Sequence, residues 1–286
     1  MQLYLYFWKA QNSISSLKTT GFNAFFFMPI LTLTTDLGTQ DHYVAALKGT
    51  ILSLKPDVNI VDISHHIPVF DFYKAAYIVK NSFHYYPPKT VHLIGVTPHS
   101  ADAHSYLAIE YKNQFFIAAD NGVFSAIFDE TPTTIVRING KENSSAKSFS
   151  LLELPVNTAI ELLKGKDIKS LGEAVSEYHE RSFFKAYTTP NSIIGYVVHV
   201  DRFQNLITDI HKDLFSKVGN NRKFFIDLKS YNSSSIHKHY DGVIEGELVL
   251  LFNSQGFLEL AMNQANAAGL LHFNQNDQIK IDFHDN

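Results

Sequence analysis

The stretch Thr34-Thr35-Asp36-Leu37-Gly38-Thr39 places one carboxylate between an apolar run and a glycine. Ile30 to Thr34 reads as a strand. Val44, Leu47, Ile51 and Leu54 follow at spacings of three and four, an amphipathic helix that Pro56 ends. Asp36 thus stands at the carboxyl end of a first strand, where open α/β sheets bind ligands. A single acid at that point suits a neutral polyol better than a metal phosphate. Its two oxygens can accept paired hydrogen bonds from vicinal hydroxyls such as those of a ribose. The competing reading makes Asp36 a cap for the helix that opens near Asp41.

Other side chains of chemical interest carry less. Asp62, His65 and His66 are metal-ligand types, but adjacent histidines on an extended segment point to opposite sides, and no second ligand cluster has fitting spacing. His237 and His239 sit in a polar stretch and read as solvated. No G-x-G-x-x-G follows a strand, and neither a Walker A loop nor a G-x-S-x-G elbow occurs. Dinucleotide, nucleoside-triphosphate and α/β-hydrolase chemistry therefore lack their marks. A metal-dependent phosphatase needs paired acids after the first strand, and only Asp36 stands there. With no Cys among 286 residues, a disulfide framework, a zinc–thiolate site and a thiol nucleophile are excluded. A formal charge of −4 suggests neither a nucleic-acid nor an anionic-membrane footprint. The 45% apolar and 13% aromatic content describes a folded chain with a sizeable core, expected in the cytoplasm.

The elements that must position Asp36 follow an α/β rhythm. After the first strand and helix, Val58 to Ile63 reads as a second, buried strand, Asp71 to Tyr86 as a helix and Thr90 to Val96 as a third strand. Tyr106 to Tyr111 and Gln114 to Ala119 form a hairpin across Lys112-Asn113, and short helices follow at Asn121 to Phe128 and Leu154 to Lys164. The alternation implies an α/β layer domain with a largely parallel sheet. After the polar, turn-rich stretch from Ser176 to Asn191 the rhythm changes. Gly195–Asp201, Asn205–Ile210, Arg222–Leu228, Glu247–Asn253, Phe257–Met262 and Gln278–Phe283 read as short strands with no helix between them, a small all-β, barrel-like domain. The expected division is residues 28–185 and 186–286.

Residues 1–27 differ from both halves. They carry Lys9, Lys18, no acid and eight aromatics, including Trp8, the only Trp. Their apolar runs, broken by Lys9, Gln11, Asn12 and Asn23, are shorter than the ~18 residues of a spanning helix. The apolar part precedes the charge, the reverse of a signal peptide. The segment reads as an atypical N-terminal extension, with Met28 as an alternative start and a membrane-surface anchor as the other reading.

Several motifs then occur in a fixed order. Thr35-Asp36-Leu37-Gly38-Thr39-Gln40-Asp41 is followed by Lys48-Gly49 and Val61-Asp62-Ile63-Ser64-His65. Asp71 with Ala75-Ala76-Tyr77 comes next, then Asp120-Asn121-Gly122, and Asp201 with Phe203, Asn205 and Thr208. Asn253-Ser254-Gln255-Gly256-Phe257-Leu258 and Ala261 with Asn263 complete the set. From about residue 28 to 283 this pattern resembles the SAM hydroxide adenosyltransferases, SAM hydrolases related to the fluorinase and chlorinase enzymes. The resemblance implies a homotrimer with SAM bound between the first domain of one subunit and the second domain of its neighbour. Asp36 would hold the ribose hydroxyls, with Phe70 the aromatic beside them. Asp201, Phe203 and Asn205 would line the methionine and adenine side, and Ser254 and Gln255 the segment holding either end of the ligand. SAM is then a substrate, and no cofactor, metal, nucleic acid or membrane partner is expected.

The chain departs from the family at the residues that prepare water. The family's Asp-Arg-His set has its Asp and Arg in a stretch that here reads Val96-Thr97-Pro98-His99-Ser100-Ala101-Asp102-Ala103-His104. Thr97 stands at the Asp position and His104 at the Arg position, while Ser150 stands where the His belongs. The halogenases' nucleophile-holding segment is only loosely echoed by Ser148 and Ser150. In the enzyme reading His99, His104 or Asp102 supplies another base, Thr97 and Ser150 line the reacting centre and Ser100 contacts substrate. In the alternative, the chain binds SAM or adenosine without turning it over.

Overall fold

The computed structural model describes residues 28–96, 106–138, 150–182, 184–229 and 231–285. In the first half the strands are β1 (Ile30–Thr35), β2 (Asn59–Ser64), β3 (Val91–Gly95), β4 (Tyr106–Tyr111), β5 (Gln114–Ala119), β6 (Thr134–Ile138) and β7 (Gly172–Ala174). They form one sheet in the order β2-β1-β3-β5-β4-β6-β7. The pairs β2–β1, β1–β3 and β3–β5 are parallel, and the pairs β5–β4, β4–β6 and β6–β7 are antiparallel. The sheet is therefore mixed: its core strands β2, β1, β3 and β5 run parallel, in line with the expectation of a largely parallel sheet, and antiparallel pairing begins beyond β5. The cause is the β4–β5 hairpin, whose turn residues Lys112 and Asn113 both take positive φ (49° and 61°), the backbone hand that lets two residues reverse a twisted strand.

Helices cover both faces of the sheet: α1 (Tyr43–Leu54), α2 (Phe72–Lys80), α3 (Val123–Ile127) and α4 (Leu154–Leu163). Leu31 and Leu33 of β1 pack with Leu47 and Ile51 of α1 and Val156, Ala159 and Ile160 of α4. Ile94 and Phe116 pack with Ala75, Ala76 and Val79 of α2 and Phe124 of α3 on the other face. Leu47 and Ile51 are fully buried, each contributing roughly 1.5–3 kcal/mol. That packing, more than intrinsic propensity, holds a helix only three turns long. Leu54, at the end of α1, is exposed instead. β2 lies at the sheet edge with Asn59 and Asp62 exposed, so it is not the buried strand its composition suggests.

The second half contains β8 (Tyr187–Thr188), β9 (Ser192–Val200), β10 (Leu206–His211), α5 (Lys212–Gly219), β11 (Lys223–Leu228) and β12 (Tyr231–Ser233). These are followed by β13 (Leu248–Phe252), β14 (Phe257–Met262), α6 (Ala267–Leu271) and β15 (Gln278–His284). The strands make an antiparallel sheet in the order β12-β11-β15-β9-β10-β14-β13, with β8 beside β9. Its end strands β12 and β13 lie against each other, giving a nearly barrel-shaped wall around Ile193, Leu206, Leu250 and Leu260. The expected all-β unit is corrected by α5 and α6. Leu214, Phe215 and Val218 of α5 lean on that core, a helical spacing spread over only eight residues. Among the described residues no helix is long and apolar enough to cross a membrane.

One buried polar line crosses the first sheet. His92 Nε2 donates to Gln114 Oε1 at 2.6 Å, so Nδ1 accepts from the Thr32 hydroxyl at 2.7 Å. The Gln114 amide in turn donates to the carbonyls of Phe83 and Tyr86. Burial depresses the His92 pKa to about 4, outweighing the Gln114 bond that raises it. A depressed imidazole stabilises the fold above the unfolded pKa near 6.5, and that stability drains away as pH falls towards 4. The share of His92 is on the order of 3 kcal/mol. Thermal melts between pH 7.5 and pH 4 are expected to show the midpoint falling, with a shallower fall in His92→Gln.

Candidate functional site

Asp36 follows β1, and the loop after β2 wraps it. The Phe70 N–H donates to Asp36 Oδ2 at 3.0 Å, and the Gly38 N–H donates to the His65 carbonyl at 2.8 Å. Gly38 manages this at φ +66°, a conformation glycine adopts without steric cost. Phe70 takes φ +68° without that freedom, and its ring is 66% exposed. Asp36 Oδ1 has no hydrogen-bond partner among the described residues, and the carboxylate is only half-buried. It does not act as a helix cap. His42 precedes α1 with no capping side-chain bond, whereas Asp71, just after Phe70, caps α2 by accepting the Lys74 N–H at 2.9 Å. Among the described residues the carboxylate is thus anchored on one oxygen and open on the other.

Beside this end of the sheet, β3 closes on Gly95. A Cβ there would meet Leu151 at 2.5 Å, so only glycine lets the single turn Ser150–Leu152 sit against the strand. The Asp36 N–H points at the Gly95 carbonyl, at 3.4 Å. The backbone of Ser150 therefore comes to the carboxyl end of β3. Thr97, His99, Ser100, Asp102, His104 and Ser148 lie outside the described residues.

A second group of residues gathers on the barrel. Asp201 to Asn205 connect β9 and β10, with the Asn205 N–H donating to Asp201 Oδ1 at 2.8 Å and Gln204 at φ +67°. This tight turn leaves Phe203 at its tip, 78% exposed. Asn205 Nδ2 donates to Glu259 Oε1 at 2.9 Å and reaches Asp201 Oδ2 at 3.4 Å. Tyr240 donates its hydroxyl to the same Glu259 oxygen at 2.7 Å. Between β13 and β14, Asn253 Oδ1 accepts from the Gln255 and Phe257 N–H groups, and the Ser254 hydroxyl donates to Gln255 Oε1.

These turns border a cavity of about 1040 Å³ lined by Asp201, Ser254, Gln255, Tyr240, Glu259, His199, Tyr77 and Asn81, among others. Asp36 and Phe70 are not on its wall. Tyr77 and Asn81 come from the α2 side, and α2 is tied to the barrel twice. Lys74 Nζ donates to the Val200 carbonyl at 3.0 Å, and Tyr77 stacks on His199 at 4.2 Å between centroids.

The cavity carries Asp201, Asp241 and Glu259 against one lysine, Lys238, a balance that favours a cationic or zwitterionic ligand. Burial, then the charge of Asp201, lifts the Glu259 pKa, while the bonds from Tyr240 and Asn205 oppose the rise. Burial and the neighbouring Glu259 and Asp201 push Tyr77 up to about 12, so it stays a phenol and a donor. Burial, helped by the Lys74 charge, brings His199 down to about 4, so its ring is neutral.

Sequence reasoning missed Glu259, Tyr240 and His199. In Phe257–Met262 the core takes Leu258, Leu260 and Met262, which assigns Glu259 to the solvent side. It is nonetheless 4% exposed, because Tyr240 and Asn205 close over it. No local signal predicts that cover. His237, read as solvated, is half-buried and accepts the Leu250 N–H at 3.2 Å. Among the described residues no group of three or more His, Asp or Glu side chains is placed to hold a metal.

Against known proteins, the sequence model for the SAM hydroxide adenosyltransferase N-terminal domain matches residues 31–172, and that for the C-terminal domain matches residues 195–280. The chain is 29% identical to a protein of Methanocaldococcus jannaschii named (R)-S-adenosyl-L-methionine hydrolase, over 89% of this chain and 96% of that one. It is 25% identical to a protein of an Actinoplanes species named fluorinase, over 83% and 92% respectively. Among solved structures, an uncharacterized conserved protein of Thermotoga maritima superposes with a TM-score of 0.80 at 28% identity, covering 88% of this chain and 99% of that one.

The Glu259 cluster predicts its own stability test. Replacing Glu259 with Leu leaves the Tyr240 hydroxyl and the Asn205 amide without their shared acceptor, a cost of about 2 kcal/mol. Urea titration of Glu259→Leu is expected to show that loss, and Glu259→Gln, which keeps an acceptor, a smaller one.

Proposed function

The chain belongs to the SAM hydroxide adenosyltransferase family, and from that premise we propose that it binds SAM and hydrolyses it to adenosine and methionine. The observation that carries the reading is Asp36, held at the carboxyl end of β1 by the Phe70 N–H, with Oδ1 open among the described residues. Oδ2 keeps a second lone pair, so the carboxylate can still accept from both hydroxyls of a ribose. The acid-rich cavity beside Asp201 and Ser254 suits the ammonium and sulfonium of SAM.

In the reaction the oxygen of water bonds to the ribose 5′-carbon as the carbon–sulfur bond breaks. The bonding pair goes to sulfur, methionine leaves neutral and the water gives its proton to a base. Nucleophile and sulfonium cancel charge as they meet, so a site that strips water from both lowers the barrier. Holding oxygen, carbon and sulfur in line is an orientation task for the ribose clamp and the methionine pocket. In this reading the base is His99, His104 or Asp102, and Thr97 and Ser150 stand in the sequence where the family has its Asp and His.

The same reading includes a homotrimer. Asp36 and Phe70 do not reach the cavity wall of their own chain, and Val69, Phe70 and Phe203 are all largely exposed. A neighbour's barrel covering the Asp36 loop buries those apolar groups and brings both halves of a ligand site together. Light scattering is expected to give the mass of three chains.

Incubation with SAM is expected to release adenosine and methionine in equal amounts, and Asp36→Ala to lower affinity for SAM at least about 100-fold, two charge-assisted bonds being lost. SAM binding without product supports a non-catalytic binding protein. No binding at all overturns both.

A further inference from the structure

A chain of polar side chains runs from the surface to the turn that carries Asp36, and the proposed chemistry uses none of it. Lys48 on α1 pairs with Asp62 Oδ2 on β2. Asp62 Oδ1 lies 3.1 Å from His65 Nε2, within reach although off the line of a well-aligned hydrogen bond. His65 is 4% exposed, and its Nδ1 lies 2.7 Å from Thr35 Oγ1, itself fully buried. The Leu37 N–H then points at Thr35 Oγ1, at 3.4 Å.

The direction of each proton follows from the two ends. Asp62, ionised and paired with Lys48, is the acceptor facing Nε2, so Nε2 carries the imidazole proton. In that tautomer of the neutral ring Nδ1 is a lone pair, and the Thr35 hydroxyl donates to it. That commits the only proton of Thr35 and leaves its oxygen to accept from Leu37. The Leu37 N–H belongs to the peptide bond that follows Asp36. Fixing that peptide fixes the exit of the Asp36 backbone, while Phe70 fixes its carboxylate and the His65 carbonyl holds Gly38. One short segment, His65 to Phe70, therefore grips the turn at Thr35, Asp36 and Gly38 through one side chain and two backbone groups.

We propose that His65 and Thr35 are positioning residues for ribose recognition: with Asp62 and Lys48 behind them they set the aim of the Asp36 carboxylate, without touching the ligand. The proposal rests on Asp36 being the ribose acceptor. A network serving the fold alone would lower stability when cut but would not alter which sugar the protein prefers.

Titration calorimetry with adenosine and with 2′-deoxyadenosine separates these roles. The wild-type protein is expected to prefer adenosine, and Asp36→Ala to lose that preference. Thr35→Val keeps the shape of the side chain but removes its donor and acceptor. It is expected to cut the preference about tenfold, the weight of one or two neutral hydrogen bonds. Thr35→Ser, which restores the hydroxyl, is expected to stay within about twofold of wild type. Should Thr35→Val fail to fold, Asp62→Ala at the half-exposed end of the chain gives the same readout, with a loss of about threefold. If the wild-type protein prefers adenosine and the folded Thr35→Val or Asp62→Ala variant prefers it as strongly, the positioning role is wrong while the ribose reading stands. If the wild-type protein binds neither nucleoside, both fall.

Discussion

The hydrogen bond from the Phe70 N–H to Asp36 joins the loop after β1 to the loop after β2, and the aim of the carboxylate depends on it. A carboxylate at a strand end is free to swing; one oxygen held by a backbone donor is not. The bond has a conformational cost, because Phe70 sits at φ +68°, where an L-residue is disfavoured by roughly 1–2 kcal/mol. Strain of that kind persists where the surrounding structure over-determines it. Here Asp71 follows at once as the cap of α2, so the same bend aims the Phe70 donor and starts the helix that reaches the barrel.

Among the described residues that helix is one physical link between the two domains. Its inner face, Ala75, Ala76 and Val79, packs against the first sheet, and Lys74 and Tyr77 face the barrel. A shift of α2 therefore moves the Phe70 end and the Tyr77 end together. The acid of the barrel cavity is kept in reserve by its surroundings. Glu259 is buried beside Asp201, and Tyr240 and Asn205 hold it in place rather than a cation. A ligand bringing positive charge gains what that cluster lacks.

The first domain was legible where periodicity and turn chemistry agreed. Val44, Leu47 and Ile51 marked the buried face of α1, and Lys112-Asn113 marked the hairpin that makes the sheet mixed. The further antiparallel pairing of β4 with β6 was obscured because helices cover both faces, which leaves β3, β4 and β5 almost continuously buried alike. In the barrel, α5 was too short for its periodicity to stand out. Asp36, Asp201, Asn205 and Ser254 stood out through motif order, since each sits in a turn whose residue types are local. Glu259 and His199 did not, because their environment is made by segments distant in the chain. The strained Phe70 was legible as an aromatic and not as a backbone donor, a role no side-chain type records.

The proposed grip of Asp36 on a ribose, with Phe70 holding the carboxylate in place, is open to direct inspection. A crystal structure of the protein with adenosine tests it most directly. Both ribose hydroxyls are expected within hydrogen-bond distance of the Asp36 carboxylate, with the Phe70 N–H still on Oδ2 and the barrel residues of a neighbouring chain closing over the base. A nucleoside bound elsewhere, or one whose sugar faces away from Asp36, contradicts it.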